Sequence, residues 1–278
     1  MKLPHCFYYT PSSQRAETLA QLPSPEYLSV YDLEDAVPKS EKDLGRANLV
    51  KVFSEPSKYP RAIRVNPLYT EDGLRDLLLI KSFLDKGPQI IILPMVKDAA
   101  EGKIVKQMFA QEGVKVYATI ETPDSLFKMQ DIGREFDGLI FGSGDLAAFL
   151  TSEISWENML YARFTMAAAA AMFNIPAIDT VSFKITDLDL LIEECCRVRN
   201  LGFYGKAAPH PSHIKIINEV FQIDSSKELR AQTIISESIK NGGRIFRFEN
   251  EMIGPPTVKL AEKLIERKFF SLSKKRII

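Results

Sequence analysis

The stretch from Lys115 to Asp145 decides the fold: Lys115-Val-Tyr-Ala-Thr-Ile-Glu121, a helix-like segment from Pro123 to Glu135, then Gly138-Leu-Ile-Phe-Gly-Ser-Gly-Asp145. Each apolar run is short, β-branched or aromatic in its middle and fenced by Gly or Pro, the pattern of a buried strand. Thr122 stands where the intervening helix needs an N-cap. Strand, helix, strand makes the two strands parallel, so Glu121 and Asp145 emerge at the same edge of one sheet. Two acids converging there form an oxygen-rich site suited to a hard divalent cation, most naturally Mg²⁺. The competing reading is a pair of solvated loop carboxylates.

The same rhythm runs outward in both directions. Strand-like runs precede it at His5–Pro11, Tyr27–Asp35, Arg61–Asn66 and Gln89–Pro94, and follow it at Ile175–Thr180 and Gly202–His210. Helical stretches lie between them: one opening at Pro38, then Leu74–Leu84, Asp98–Gln111, Trp156–Phe173 and Thr186–Asn200. Eight strands alternating with helices fit a (β/α)₈ TIM barrel, with a doubly wound open sheet as the competitor. Polar residues at successive strand ends favour the barrel, which gathers them at one mouth: Asp32, Glu34, Asp35, Arg64, Asn66, Glu121, Asp145, Asp179 and His210. We expect residues 1–212 to form the barrel and 213–278 a C-terminal helical extension serving as lid or oligomer contact. Within it, Arg244–Glu249 alternates like an edge strand, Pro255–Lys268 reads as a last helix, and Ser273–Ile278 as a frayed basic end.

Composition excludes several classes. The 36 basic and 36 acidic residues cancel, so no net field favours nucleic acid or an anionic membrane. The longest apolar runs, such as Gln89–Pro94, are too short to span a bilayer, and Met1–Tyr9 has no leader-like segment. Three cysteines, with Cys195 and Cys196 adjacent, make neither a disulfide framework nor a spaced zinc set. The expectation is a reduced, cytoplasmic protein.

Six short motifs recur in order: Asp32-Leu-Glu-Asp-Ala-Val-Pro38 with Lys42 and Arg46 behind it, Arg64-Val-Asn66, Leu93-Pro94, Ile120-Glu-Thr122, Phe141-Gly-Ser-Gly-Asp-Leu146, and Gly202-Phe-Tyr-Gly-Lys206 with His210-Pro211. Together they resemble the citrate lyase β subunit and the related acyl-CoA lyases acting on malyl-CoA and citramalyl-CoA. The resemblance implies a TIM barrel, Mg²⁺ dependence, and cleavage or formation of a carbon–carbon bond beside a carboxylate-bearing carbonyl. It places the metal ligands on Glu121 and Asp145 and the substrate-carboxylate arginine on Arg64. It further implies a homotrimer or multiple of trimers, a small oxaloacetate- or pyruvate-like carboxylate, and coenzyme A or an acyl-carrier thioester as part of the substrate. In such relatives an Asp in an Asp-Gly-Lys-Met sequence reaches a neighbouring subunit's site; here the position is Glu249, in Glu249-Asn-Glu-Met252. The chain also departs from the family pattern at Met95, where relatives often carry Lys, and at Pro11-Ser12, where they carry Pro-Gly.

Beside the resemblance stand readings from the residues. An Arg offers a planar fork matched to a carboxylate. Glu34 is placed to orient Arg64 or a metal-bound water, with Asp35 beside it. Backbone N–H groups of Gly142, Ser143 and Gly144 precede Asp145, and the glycines allow close approach of an oxyanion. The activity the resemblance implies is a retro-aldol or retro-Claisen cleavage giving a keto acid and an acyl thioester, with Glu249, Glu34 and Asp35 as candidate acid–base groups. An aldolase-like enzyme on a free hydroxy or keto acid, or a silent barrel binding metal and keto acid, are the alternatives.

Overall fold

The computed structural model describes residues 2–83, 86–222, 224–267 and 270. Eight parallel strands close a barrel in sequence order: β1 (Cys6–Pro11), β2 (Tyr27–Asp32), β3 (Arg61–Arg64), β4 (Ile90–Leu93), β5 (Lys115–Ile120), β6 (Gly138–Phe141), β7 (Ala177–Asp179) and β8 (Gly205–Ala208). Closure is by β8 against β1, with Cys6 opposite Lys206. Around them run α1 (Ala16–Ala20), α2 (Lys42–Val52), α3 (Glu71–Ser82), α4 (Ala99–Met108), α5 (Pro123–Phe127), α6 (Met129–Glu135), α7 (Ser143–Leu150), α8 (Trp156–Phe173), α9 (Leu188–Leu201) and α10 (Ser212–Phe221). Pro4–Phe221 forms one compact unit, and the described residues from Gln222 onward, with Lys2 and Leu3, form another.

Strand alternation sorts two cores. Outward residues such as Ile63, Ile91, Val116, Ala118 and Leu139 pack beneath the helices in one continuous cluster. Inward residues close the barrel interior, where the rings of Phe7 and Tyr117 lie 6.1 Å apart. A Cβ on Gly138 would come within 2.4 Å of the Tyr117 ring, so only glycine lets that ring cross the interior. Buried charges lock the helix layer to the strands: Asp179 accepts from Arg163 of α8 at 2.9 Å and from Lys206 of β8 at 2.7 Å. Asp179 is therefore an outward-facing structural anion, although it stands at a strand end; losing one partner of such a buried pair costs about 3–5 kcal/mol. His210 also has a local task, as its Nδ1 accepts from the backbone N–H of Ser212 at the start of α10.

Local chemistry bends the chain where apolar patterning continues. β2 stops at Asp32 because its carboxylate accepts the backbone N–H groups of Glu34 and Ala36 and folds the acidic run into a turn. The segment Pro123–Glu135 breaks into α5 and α6 at Lys128. β6 ends at Phe141, and α7 begins at once with Asp145 in its first turn. Thr70 caps α3 by accepting from the N–H of Gly73, one turn before the apolar periodicity becomes visible.

The second unit holds α11 (Ser225–Lys240), the antiparallel pair β9 (Phe246–Phe248) and β10 (Glu251–Ile253), and α12 (Pro255–Arg267). Ala231, Ile234, Ile253 and Ala261 form its core. Glu249 and Asn250 make the hairpin turn with φ of 48° and 64°, the two left-handed residues a tight hairpin needs. Leu84, Lys268 and the basic end Ser273–Ile278 lie outside the described residues.

Candidate active site

β5 and β6 deliver the two acids differently. Glu121 follows the last residue of β5, and Thr122 behind it caps α5 while donating its hydroxyl to Val96 O at 3.0 Å. That ties the β5 exit to the β4 loop, where Met95 is held at φ 52° and donates its N–H to Glu121 Oε1 at 2.5 Å. A left-handed non-glycine residue costs roughly 1–2 kcal/mol, a strain spent on aiming one backbone N–H at the carboxylate. The Met95 side chain takes no part in this bond, so the departure from Lys leaves it intact. Asp145 rides instead on the first turn of α7, where the helix dipole favours an anion.

Gly142 links the two acids. A Cβ built on it would lie 2.3 Å from Glu121 Oε2, so its glycine makes room for the carboxylate itself. Gly144 meets only ordinary contact, 3.5 Å from Phe183. Ser143 turns away, its hydroxyl donating to Thr180 Oγ1 at 3.2 Å.

Arg64 ends β3 beside the acidic turn. Its Nε and one terminal nitrogen donate to the two oxygens of Asp32 at 2.7 and 2.6 Å, and the other terminal nitrogen lies 2.7 Å from Glu34 Oε2. That last contact is too bent for a hydrogen bond, and Glu34 Oε2 is buried with no aligned donor. The guanidinium also stacks 5.2 Å from the Tyr9 ring. A second network braces this corner: Arg46 bonds Asp76 at 2.7 Å, Asp76 accepts from Asn66, and Asn66 donates to Leu33 O. Lys42 holds the carbonyls of Leu33 and Glu34 at 2.6 and 2.8 Å. The Asp32–Pro38 motif, Lys42, Arg46 and Asn66 thus act as one clamp.

Burial dominates the electrostatics. It pushes the Glu121 carboxyl up to about 7, with Asp145 adding to the rise and Met95 and Arg64 opposing it. Burial likewise pushes Glu34 up to about 8, outweighing the pull of Arg64. Asp145 is raised by burial and by Asp35. Burial works against the Arg64 cation, yet Asp32 and Glu34 hold its pKa well above the ordinary value. The pair is a firm cation beside a carboxyl that keeps its proton near neutrality.

These groups surround one cavity of about 470 Å³ at the carboxyl ends of the strands, lined among others by Tyr9, Asp35, Arg64, Thr119, Glu121 and Asp145. Gly142 and Gly144 complete its β6 side. Among the described residues no cluster of three His, Cys, Asp or Glu forms a self-sufficient metal site. Two carboxylates with free coordination space fit Mg²⁺, which keeps waters and takes substrate oxygens. Tyr9 and Thr119 also line the cavity, with no signal in the sequence beyond strand periodicity: Thr119 shares the inward face with Glu121, two positions away.

The model of the HpcH/HpaI aldolase/citrate lyase family matches residues 8–211, most of the chain. The chain belongs to this family. By that membership it is a carbon–carbon lyase. It is 27% identical to the citrate lyase subunit beta of Haemophilus influenzae, covering 96% of this chain and 97% of that one. It is 30% identical to a (3S)-malyl-CoA thioesterase of Cereibacter sphaeroides over 79% of this chain and 77% of the relative. Among solved structures, the Mycobacterium tuberculosis protein CitE, in complex with magnesium, acetoacetate and coenzyme A, superposes with a TM-score of 0.77 at 25% identity. That match covers 96% of this chain and 98% of CitE. The cavity lies at the carboxyl-terminal mouth of the barrel, the end at which TIM barrels generally keep their sites. No helix among the described residues is long and apolar enough to cross a membrane.

Proposed function

We propose that this protein is a Mg²⁺-dependent lyase of the citrate lyase β type, cleaving a hydroxyacyl thioester into a small keto acid and an acyl thioester. The observation that carries the reading is the convergence of Glu121, Asp145 and Arg64 on one cavity. Glu121 and Asp145 would hold the ion, which when bound supplies Lewis-acid polarisation of the substrate's carboxylate and neighbouring oxygen. Arg64 has one edge fixed by Asp32 and its remaining terminal nitrogen against Glu34, and the N–H groups not bonded to Asp32 would meet the substrate carboxylate. The N–H groups at the start of α7 add positive potential beside Asp145. Glu34, whose carboxyl burial pushes up to about 8, would give or take a proton through its contact with Arg64. The malyl-CoA, citramalyl-CoA and coenzyme A named for relatives and for CitE support a thioester substrate.

Glu249 extends the reading to the assembly. It sits at the tip of the β9–β10 turn with Arg230 Nε 2.9 Å from its carboxylate, an exposed pair that solvent screens and that holds the side chain only weakly. So weak a pair leaves the carboxylate available, and we propose that it completes the site of a neighbouring copy in a homotrimer or a multiple of trimers. The direct test is release of oxaloacetate, pyruvate or glyoxylate from citryl, citramalyl and malyl thioesters, with and without Mg²⁺. Metal-dependent release from one of them is expected; none from any, with Mg²⁺ present and the protein folded, overturns the reading.

A further inference from the structure

One layer below the acids, the cavity meets two hydroxyl groups with nothing to bond. On β5 the inward positions are Tyr117 and Thr119, with Glu121 continuing that face just past the strand, and on β1 they include Phe7 and Tyr9. Phe7 and Tyr117 close the barrel underneath with apolar rings. Thr119 is 4% exposed and its Oγ1 has no hydrogen-bond partner. Among the described residues the Tyr9 hydroxyl has none either, while its ring is fixed beneath the Arg64 guanidinium at 5.2 Å. Ile140 and Ala207, which share this wall, offer nothing to bond. A buried hydroxyl left unpaired is destabilising, and Val or Phe would fill the same space without that cost. The buried Thr119 hydroxyl, with the half-buried Tyr9 hydroxyl facing the same cavity, therefore calls for a ligand oxygen.

We propose that Tyr9 and Thr119 are specificity-determining residues that read an oxygen of the substituent carried by the third carbon of the keto acid. The proposal rests on the lyase reading above: Arg64 and the Glu121–Asp145 pair serve the carboxylate and carbonyl end, leaving the hydroxyls to the substituent beyond it. Each O–H donates to a carboxylate oxygen or accepts from a hydroxyl. The substrate class is then one that yields a keto acid bearing a carboxylate or hydroxyl group at that end, as in oxaloacetate, and not the bare methyl group of pyruvate. Apolar pockets separate ligands differing by one methylene by only about 10–200-fold, whereas a site built to bond a hydroxyl rejects the analogue lacking it far more strongly.

The test uses an isosteric pair, 3-hydroxypyruvate and 2-oxobutyrate, which place a hydroxyl or a methyl on the third carbon. Their affinities for the intact protein are measured calorimetrically with Mg²⁺ present. The wild type should bind 3-hydroxypyruvate at least about 10-fold more tightly. Tyr9→Phe and Thr119→Val should each bring the ratio toward one by weakening 3-hydroxypyruvate alone, and Thr119→Ser, which keeps the hydroxyl, should preserve it. Equal affinities in the wild type, or variants that weaken both ligands alike, overturn the proposal and leave the hydroxyls as water holders. If neither acid binds at millimolar concentration, the keto-acid reading of the whole site falls, and this inference with it.

Discussion

At the scale of single residues, the site is built from carboxyls that burial keeps from ionising easily. Glu121→Gln or Asp145→Asn should lower Mg²⁺ affinity at least about 10-fold with little loss of thermal stability, because both acids stand at the functional mouth of the barrel. Calorimetric titration checks this, and unchanged affinity in both variants would remove the metal assignment. Protons should compete for Glu121 below pH about 7, so wild-type Mg²⁺ affinity falls as the solution is acidified. Glu34 gives a separate signature in stability. Its folded pKa of about 8 lies above the ordinary 4.5. The folded state therefore holds this proton more tightly than the unfolded chain. The stabilisation is complete below pH 4.5 and is lost as pH rises through about 8. The slope is at most about 1.4 kcal/mol per pH unit. Glu34→Gln should flatten that part of the melting-temperature profile, raising stability at pH 9 relative to wild type but not at pH 5. Parallel profiles would show that Glu34 is not the titrating group.

At the scale of elements, the β6–α7 junction is the sensitive joint. The Glu121 carboxylate occupies the space a side chain on Gly142 would need, and the backbone there turns directly from strand to helix. Gly142→Ala must displace either the carboxylate or the start of α7, and overpacking of this kind costs about 1–3 kcal/mol. Mg²⁺ affinity should fall with it. Gly144→Ala, whose new methyl meets only Phe183 at ordinary distance, should keep both stability and affinity near wild type. Equal behaviour of the two variants in melting and titration would show that the close approach of Glu121 to Gly142 has no functional weight.

At the scale of the whole molecule, the decisive question is whether Glu249 works across subunits. Light scattering should give a mass of three chains of 31.4 kDa or a multiple of that. Glu121→Gln and Glu249→Gln should each be inactive alone. Mixed and reassembled in equal amounts, they should recover about a quarter of wild-type activity, the fraction of sites in a heterologous ring drawing both intact residues from different chains. No recovery from assembled mixtures would confine Glu249 to its own subunit or remove it from the reaction.

Much of this was legible without a structure because it depends on short-range pattern. Short continuous apolar runs alternating with helical stretches specified eight parallel strands, and parallel strands necessarily bring Glu121, Asp145 and Arg64 toward one edge. Local hydrogen bonding hid the details. α7 is eight residues starting on Ser143 after a Gly142 N-cap, with no capping side chain to announce it, and β10 is a three-residue partner that exists only because Glu249 and Asn250 turn. Nothing local distinguishes Asp179 from the site acids either. Its outward facing and its bonds to Arg163 and Lys206 follow from which residues closure of the barrel brings beside it. The chain's own pattern determined the barrel and its acidic mouth. Only tertiary packing decided that Gly142 serves Glu121, that Asp32 fixes Arg64, and that Tyr9 and Thr119 face the substrate space, because each depends on residues far apart in sequence meeting inside a closed sheet.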